Sequence, residues 1–224
     1  MGRLRNPLTM MKAWTKVLIF ALAAMLAASC ASKTEVVPEP TAESKKKDEY
    51  VNPFEPGTYD HFKAEKAYPK TSRVWKNESV LSRTNPSNSR LVIRKGIQRA
   101  FLMNGDEVAM DYPISSGKSG YVTPSGSFTI LEKTVDKKSN AYGKVFDENG
   151  DRVSGKEKPS DVPEGGSFDG APMPYWLRLT NDGVGHHVGA VPRYPASHGC
   201  IRGPRAVMPL VYRKVKLGTK VTVE

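Results

Sequence analysis

The sequence predicts a mainly β fold with one or two short helices. Three observations predict it. Apolar residues come in short runs separated by clusters of Gly, Pro, Asn and Ser. Two Asn-Gly pairs, Asn104-Gly105 and Asn149-Gly150, carry a strong short-range hairpin signal. No helical apolar period is sustained over three turns, and there is no internal repeat. The 224 residues suit one compact domain with tails.

Along the chain, Leu91-Val92-Ile93 reads as a short strand. Gln98–Met103 and Asp106–Met110 read as two strands closed by the Asn104-Gly105 turn, and Tyr112–Ser115 prolongs the second. Gly117-Lys118-Ser119-Gly120 is a loop, and Phe128–Leu131 a strand. Residues 133–170 are charged and Gly-rich and read as an insertion, a lid expected over a binding groove, with the second hairpin signal inside it. Tyr175–Leu179 and Val184–Val188 are further strands. Pro204–Val215 reads as a short helix interrupted by Pro209, and Leu217–Val223 as a turn and a last strand.

The N-terminus carries an export signal. Arg3, Arg5, Lys12 and Lys16 precede a 12-residue apolar run, Val17–Ala28, too short to span a bilayer. Ala27-Ala28-Ser29 then lead into Cys30, a pattern that resembles a bacterial lipobox, in which the cysteine is acylated. Residues 1–29 are therefore expected to be a signal peptide and 30–50 a lipid-anchored tether, poor in large apolar residues. Residues 51–88 form an N-terminal extension in which Trp75, Val80 and Leu81 are candidates to dock on the main domain; His61 is given no role. Residues 89–224 are the main domain.

Composition narrows the function classes. Hydrophobic residues make up 38%, which excludes disorder throughout. Two cysteines exclude a disulfide scaffold. The net charge is +11, but Lys and Arg are scattered and the chain is exported, so an anionic envelope polymer or lipid surface is expected as partner, and no nucleic acid. With Cys30 acylated, Cys200 is the remaining thiol, without an internal partner in a compartment that oxidises thiols.

Three of the four histidines lie close to that thiol in sequence: His186, His187 and His198. A cysteine attacks a carbonyl as thiolate, and a nearby imidazole can take its proton. A cationic imidazole beside Cys200 is expected to lower the thiol below its free value of about 8.5, and to be raised in turn. In a strand the adjacent His186 and His187 point oppositely, so one of them faces Cys200. The alternatives are an inert buried thiol and a zinc site of His187, His198 and Cys200, whose spacing fits no common zinc pattern. Neither a metal nor a cofactor is expected.

Ser197-His198-Gly199-Cys200-Ile201-Arg202 resembles the S-H-G-C-[IV]-R signature of the YkuD-type L,D-transpeptidases. Gly185-His186-His187-Val188-Gly189 resembles the upstream half of that signature and puts the family's histidine at His187. Thr123-Pro124-Ser125-Gly126-Ser127-Phe128 resembles the family's T-P-x-G-x-F block. Met173-Pro174-Tyr175-Trp176 and Gly218-Thr219-Lys220-Val221 are also similar, so the resemblance spans about residues 90–224.

That resemblance implies a YkuD-like β-sandwich of mixed sheets. It implies Cys200 as nucleophile and His187 as proton donor and acceptor, with the Val188 carbonyl orienting the imidazole as Asp does in a Ser-His-Asp triad. Backbone N–H groups of Gly199 and Cys200 would form the oxyanion hole, with His198 close by. Ser197 is a turn residue or a substrate contact, and Arg202 grips a substrate carboxylate or makes a structural ion pair. The implied substrates are peptidoglycan stem peptides, acylating Cys200 and passing to an amine. Water as acceptor would make a carboxypeptidase or hydrolase; loss of catalysis would leave a wall-binding lipoprotein. An exported peptidase acting on proteins is a further alternative. The expected location is the cell envelope, lipid-anchored through Cys30, on the outer membrane facing the periplasm in a Gram-negative host. A monomer is expected.

Overall fold

Two mixed sheets face each other across one apolar core in the structure, a computed structural model that describes residues 50–224. The signal peptide and lipid-anchored Cys30 expected within residues 1–49 lie outside the described residues. The first sheet holds β1 (Trp75–Lys76), β2 (Ser89–Arg94), β3 (Arg99–Asn104), β4 (Glu107–Pro113), β5 (Gly126–Thr129) and β10 (Lys220–Val223), in the order β1-β4-β3-β2-β10-β5. The second holds β6 (Glu132–Phe146), β7 (Ser167–Arg178), β8 (Gly185–Val188) and β9 (Ile201–Gly203), in chain order. β10 runs parallel to β2 and β8 parallel to β9; the other pairs are antiparallel. The mainly β reading therefore holds.

Alternation sets the layers. Leu91 and Ile93 of β2 point inward beside Ala100 and Leu102 of β3, while Val92 and Phe101 point out. Leu177 and Ile201 meet them from the second sheet, and Met208 and Val211 of α3 (Met208–Lys214) close the core. Each such fully buried aliphatic side chain stabilises the fold by about 1.5–3 kcal/mol.

Three local expectations change. The β3–β4 turn is Gly105-Asp106, because Asn104 pairs with Glu107, and only Gly105 has a positive φ, +56°. A bulge in β4 at Ala109 takes up the shifted register. Pro209 does not interrupt α3: it stands in the first turn, where its missing N–H has no intrahelical partner to lose. Residues 133–170 are strand at both ends, 133–146 and 167–170, with loop between. β6 and β7 form a long hairpin, and Asn149-Gly150 makes a turn inside the loop between them, closed by the Phe146–Arg152 bridge.

The extension is built into the domain. Asn77 caps α2 (Glu78–Arg83) by accepting from the Val80 N–H, which turns Val80 and Leu81 into the core. Lys214 Nζ donates to the carbonyls of Leu81 and Thr84. α1 (Tyr59–Ala64) lies over the outer face of the first sheet. There Arg99 Nε donates to Asp111 Oδ1 at 2.6 Å, both side chains fully buried. Tyr59 and Tyr68 hydroxyls donate to Asp111 Oδ2, and Arg99 also holds the carbonyls of Thr71 and Arg73. Burial pushes the Asp111 carboxyl above its ordinary value, against the pull of Arg99 and the two phenols.

The pair is thus costly to form and costlier to break. Asp111→Ala should lower the unfolding free energy in urea by about 3–5 kcal/mol, because Arg99 stays buried without its counter-charge. A loss below about 1 kcal/mol would show that the extension does not depend on this pair.

Candidate active site

The parallel β8–β9 ladder sets two faces. His186 pairs with Ile201 and His187 with Arg202, so His186 and Ile201 look into the core while His187 and Arg202 look out. Cys200 stands just before β9, two residues from Arg202. A hydrogen bond from the Gly185 backbone reaches its thiol, and Sγ donates to the Gly183 carbonyl at 3.8 Å. His187 and Arg202 therefore share the outward side of the second sheet, and Cys200 adjoins the ladder at the start of β9.

The two adjacent histidines are separated by their hydrogen bonds. His186 is fully buried; its Nδ1 lies 2.9 Å from the Ile201 carbonyl and its Nε2 3.0 Å from the Tyr112 hydroxyl. Nδ1–H therefore donates and Nε2 accepts, which uses both nitrogens. His187 Nδ1 lies 2.8 Å from the Val188 carbonyl, which can only accept. That bond fixes the proton on Nδ1 and leaves Nε2 with its lone pair. Gly203 makes room for His186, since a Cβ there would sit 2.9 Å from His186 Cε1.

Burial governs the charge states. It pushes the Cys200 thiol up, against the Gly185 hydrogen bond and the Arg202 guanidinium. It pushes His187 down to about 4, against the Val188 hydrogen bond, and Arg202 adds to the fall. Both shifts run opposite to the expected thiolate–imidazolium pair, because desolvation penalises the charged form of each group. Trp176, with ring centroids 5.9 Å from His187, is part of the dry wall. Gly185 leaves the space for it: a Cβ there would lie 2.5 Å from the Trp176 ring.

The loop that carries Cys200 is held by polar bonds. Ser197 Oγ accepts from the Gly199 N–H at 3.1 Å and donates to the Cys200 carbonyl. The Gly199 N–H is therefore engaged within the loop. Gly199 has φ +112°, a conformation that disfavours any side chain although the surrounding space is open. Thr123 Oγ1 accepts from the Gly117 N–H and donates to the Gly199 carbonyl, tying two loops together. Backbone bonds from Ala196 and Ser197 to Ser116, and from Lys118 to Ser197, complete the clamp.

His198 is only partly covered, and its ring stacks on Tyr142 at 4.4 Å and meets Tyr121 edge-on at 4.7 Å. Tyr142 comes from the register break in β6, so the hairpin reaches the Cys200 loop at His198. Among the described residues no carboxylate lies within ion-pair distance of Arg202. Gly189 admits its stem: a Cβ there would lie 2.8 Å from Arg202 Cδ.

The structure thus brings together Ser197, His198, Gly199, Cys200, Arg202, His187 and Val188. His61 lies in α1, within the extension. Among the described residues no group of three or more His, Cys, Asp or Glu side chains is arranged to hold a metal. Thr123, Gly117, Gly185, Gly189 and Tyr142 were missed as site residues. Thr123 had a signal, as the first residue of T-P-S-G-S-F; Tyr142 had none.

Residues 88–223 match the family described as YkuD, L,D-transpeptidase catalytic domain. The chain belongs to this family. Among solved structures it is similar to an L,D-transpeptidase from Mycobacterium smegmatis, at 25% identity over 61% of this chain and 58% of that one, TM-score 0.46. L,D-transpeptidase 3 from Mycobacterium tuberculosis, in complex with a faropenem-derived adduct, is 23% identical over 61% and 60%, TM-score 0.44. An Enterococcus faecium L,D-transpeptidase, a cysteine-to-serine mutant, is 26% identical over 62% and 50%, TM-score 0.44. The chain spans less than two thirds of the length of each of these structures. No curated protein matches it.

Thr123→Val keeps the shape and removes both bonds of the hydroxyl. The expected cost is about 1–3 kcal/mol, with faster hydrogen exchange at the Gly117 N–H. Unchanged exchange at Gly117 would remove Thr123 from the clamp.

Proposed function

We propose that this member of the family is an active L,D-transpeptidase working on peptidoglycan stem peptides through a Cys200 thioester. The observation that carries the reading is the His187–Val188 bond, which leaves a neutral imidazole with a free Nε2 on the side of the sheet that Arg202 shares.

In the proposed cycle Sγ attacks the carbonyl carbon of the third stem residue while its proton passes to His187 Nε2. Neutral reactants mean that proton transfer accompanies attack, with no thiolate stored beforehand. The Cys200 N–H is the leading donor to the oxyanion, since Ser197 engages the Gly199 N–H. His187 then protonates the departing amine of the terminal D-residue as the C–N bond breaks. An acceptor amine attacks the thioester, gives its proton to His187, and the C–S bond breaks to return the thiol. Arg202 is free to meet a substrate carboxylate, and the His198–Tyr142–Tyr121 cluster forms one rim of the site.

A carbapenem offers a strained carbonyl to the same thiol. One adduct is expected by intact mass on wild type and none on Cys200→Ala; an adduct on Cys200→Ala, or none on wild type, sinks the assignment. His187→Ala should slow acylation by about 10²–10⁴-fold. His186→Ala should act mainly on stability, through the unpaired Tyr112 and Ile201 groups.

The pH profile follows from the direction of each shift. The base must be neutral, and His187 is lowered to about 4, so acylation should hold from neutral pH down and fall only near pH 4. Without His187 the rate depends on thiolate, so it should climb with pH through the raised range of the thiol. A wild-type acid limb near 6.5 would contradict the buried neutral imidazole.

We also propose that Cys30 carries lipid and tethers the domain to an envelope membrane. Among the described residues no helix is long and apolar enough to cross a membrane. Cys30→Ser should release protein from the membrane fraction, and unchanged fractionation would reject the anchor.

A further inference from the structure

The outer face of the first sheet carries a groove that the site at Cys200 does not use. Register lines up Thr222, Val92, Phe101, Asp111 and Trp75 across five neighbouring strands on that face. The extension covers one end of the row, where Tyr59 and Tyr68 bind Asp111. Beyond that cover a groove of about 320 Å³ opens, within the range of small-ligand sites. Tyr59, Lys63 and Tyr68 wall it, all from before residue 88, where the family match begins.

The lining has a sign. Lys63, Arg90 and Arg94 stand against a single carboxylate, Glu224, over a floor of Val92, Phe101, Met103 and Val108. Asp60 and Asp106 pair with Lys63 and Arg90 from outside the lining and are exposed to solvent. Exposed pairs are screened by water and salt, so they offset little of the charge. Arg94 lies over the Phe101 ring, 5.2 Å from its centroid, and its Nε donates to Glu224 at 2.7 Å. Among the described residues its two Nη groups meet no acceptor. A guanidinium held on an aromatic ring with that edge open suits two oxygens of one anion. The groove therefore selects an anion that also carries an apolar body.

A second observation says what bears the anion. Residues 50–54 run beside α1, where the Tyr50 hydroxyl donates to the Ala64 carbonyl and Asn52 Nδ2 to the His61 carbonyl. Along this strip Val51 is 81% exposed, Phe54 45% and Tyr50 44%, with the Lys66 ammonium over the Tyr50 ring. Large apolar side chains held in water next to cations are the composition of a surface that enters a bilayer interface. A small soluble anion in the groove would leave them in water, whereas a lipid layer covers them.

We propose that this groove takes the phosphate head of an anionic phospholipid, and that Tyr50, Val51 and Phe54 enter the lipid layer beside it. The outer face of the first sheet is then the membrane-facing side. His187 and Arg202, on the outward side of the second sheet, are directed away from the membrane. The proposal shares a membrane with the reading of Cys30 as a lipid anchor but needs no acyl chain on the protein.

The test uses the full-length protein and calorimetry with dihexanoylphosphatidylglycerol below its micellar concentration, so that binding does not depend on Cys30. The controls are dihexanoylphosphatidylcholine, with the same tails and no net charge, and inorganic phosphate. The anionic lipid should bind at least about tenfold more tightly than either, and more weakly as salt is raised. Arg94→Gln and Arg90→Gln should each weaken it by about tenfold, with the thermal midpoint and the rate of carbapenem acylation at Cys200 as in wild type. Val51→Ser together with Phe54→Ser should lower partition onto phosphatidylglycerol vesicles, measured in a Cys30→Ser background. Equal binding of the two lipids, equal binding of free phosphate, or binding indifferent to both arginines overturns the groove as a lipid site. Vesicle partition untouched by the Val51 and Phe54 substitutions overturns the membrane-facing surface.

Discussion

The parallel pairing of β8 with β9 is the constraint on which the site depends. Because the pairs are His186–Ile201 and His187–Arg202, one histidine is delivered to the core and the next, itself buried, to the other side of the sheet with Arg202. A slip of one residue would exchange them, turning the free imidazole into the core and the one whose nitrogens are already bonded away from it. The glycines around this ladder serve it. Gly185 admits Trp176, Gly203 admits His186, and Gly189 admits the Arg202 stem. Each place needs absence of a side chain for space, whereas Gly199 needs it for its backbone angle.

The same packing decides the acid–base state. A thiol and an imidazole in water would exchange a proton readily, and an adjacent cation would favour the thiolate. Here the wall that fixes the geometry also removes water, so both charged forms are penalised more than the neighbours help. Burial thus disfavours the Cys200 thiolate, the form in which a thiol reacts and oxidises. Under the proposed mechanism the cost falls on the chemical step, where His187 takes the proton as the bond forms.

Much of this was legible in the sequence, and the parts that were not share a cause. Apolar runs such as Leu91-Val92-Ile93, whose first and last members face inward, announced the core strands, and the clustering of His186, His187 and His198 near Cys200 marked the region of the candidate site. β6 did not announce itself, because both of its faces are largely exposed and charged, so no apolar alternation marks it. The β3–β4 turn was displaced by one residue because the bulge at Ala109 is a property of the pair of strands, not of the turn. The electrostatics of the thiol were misjudged because sequence proximity reveals which charges are near and not how dry the site is. Thr123 stood in a recognised block, but its partners, Gly117 and Gly199, are brought to it only by the fold.

The central claim is that Cys200 carries a stem peptide as a thioester to an acceptor. It is tested most directly by incubating the full-length protein with purified tetrapeptide muropeptides and following products by mass spectrometry. The account predicts loss of the terminal D-residue together with linked dimers, both absent with Cys200→Ser. Muropeptides left untouched by the wild type, or processed equally by the variant, would contradict it.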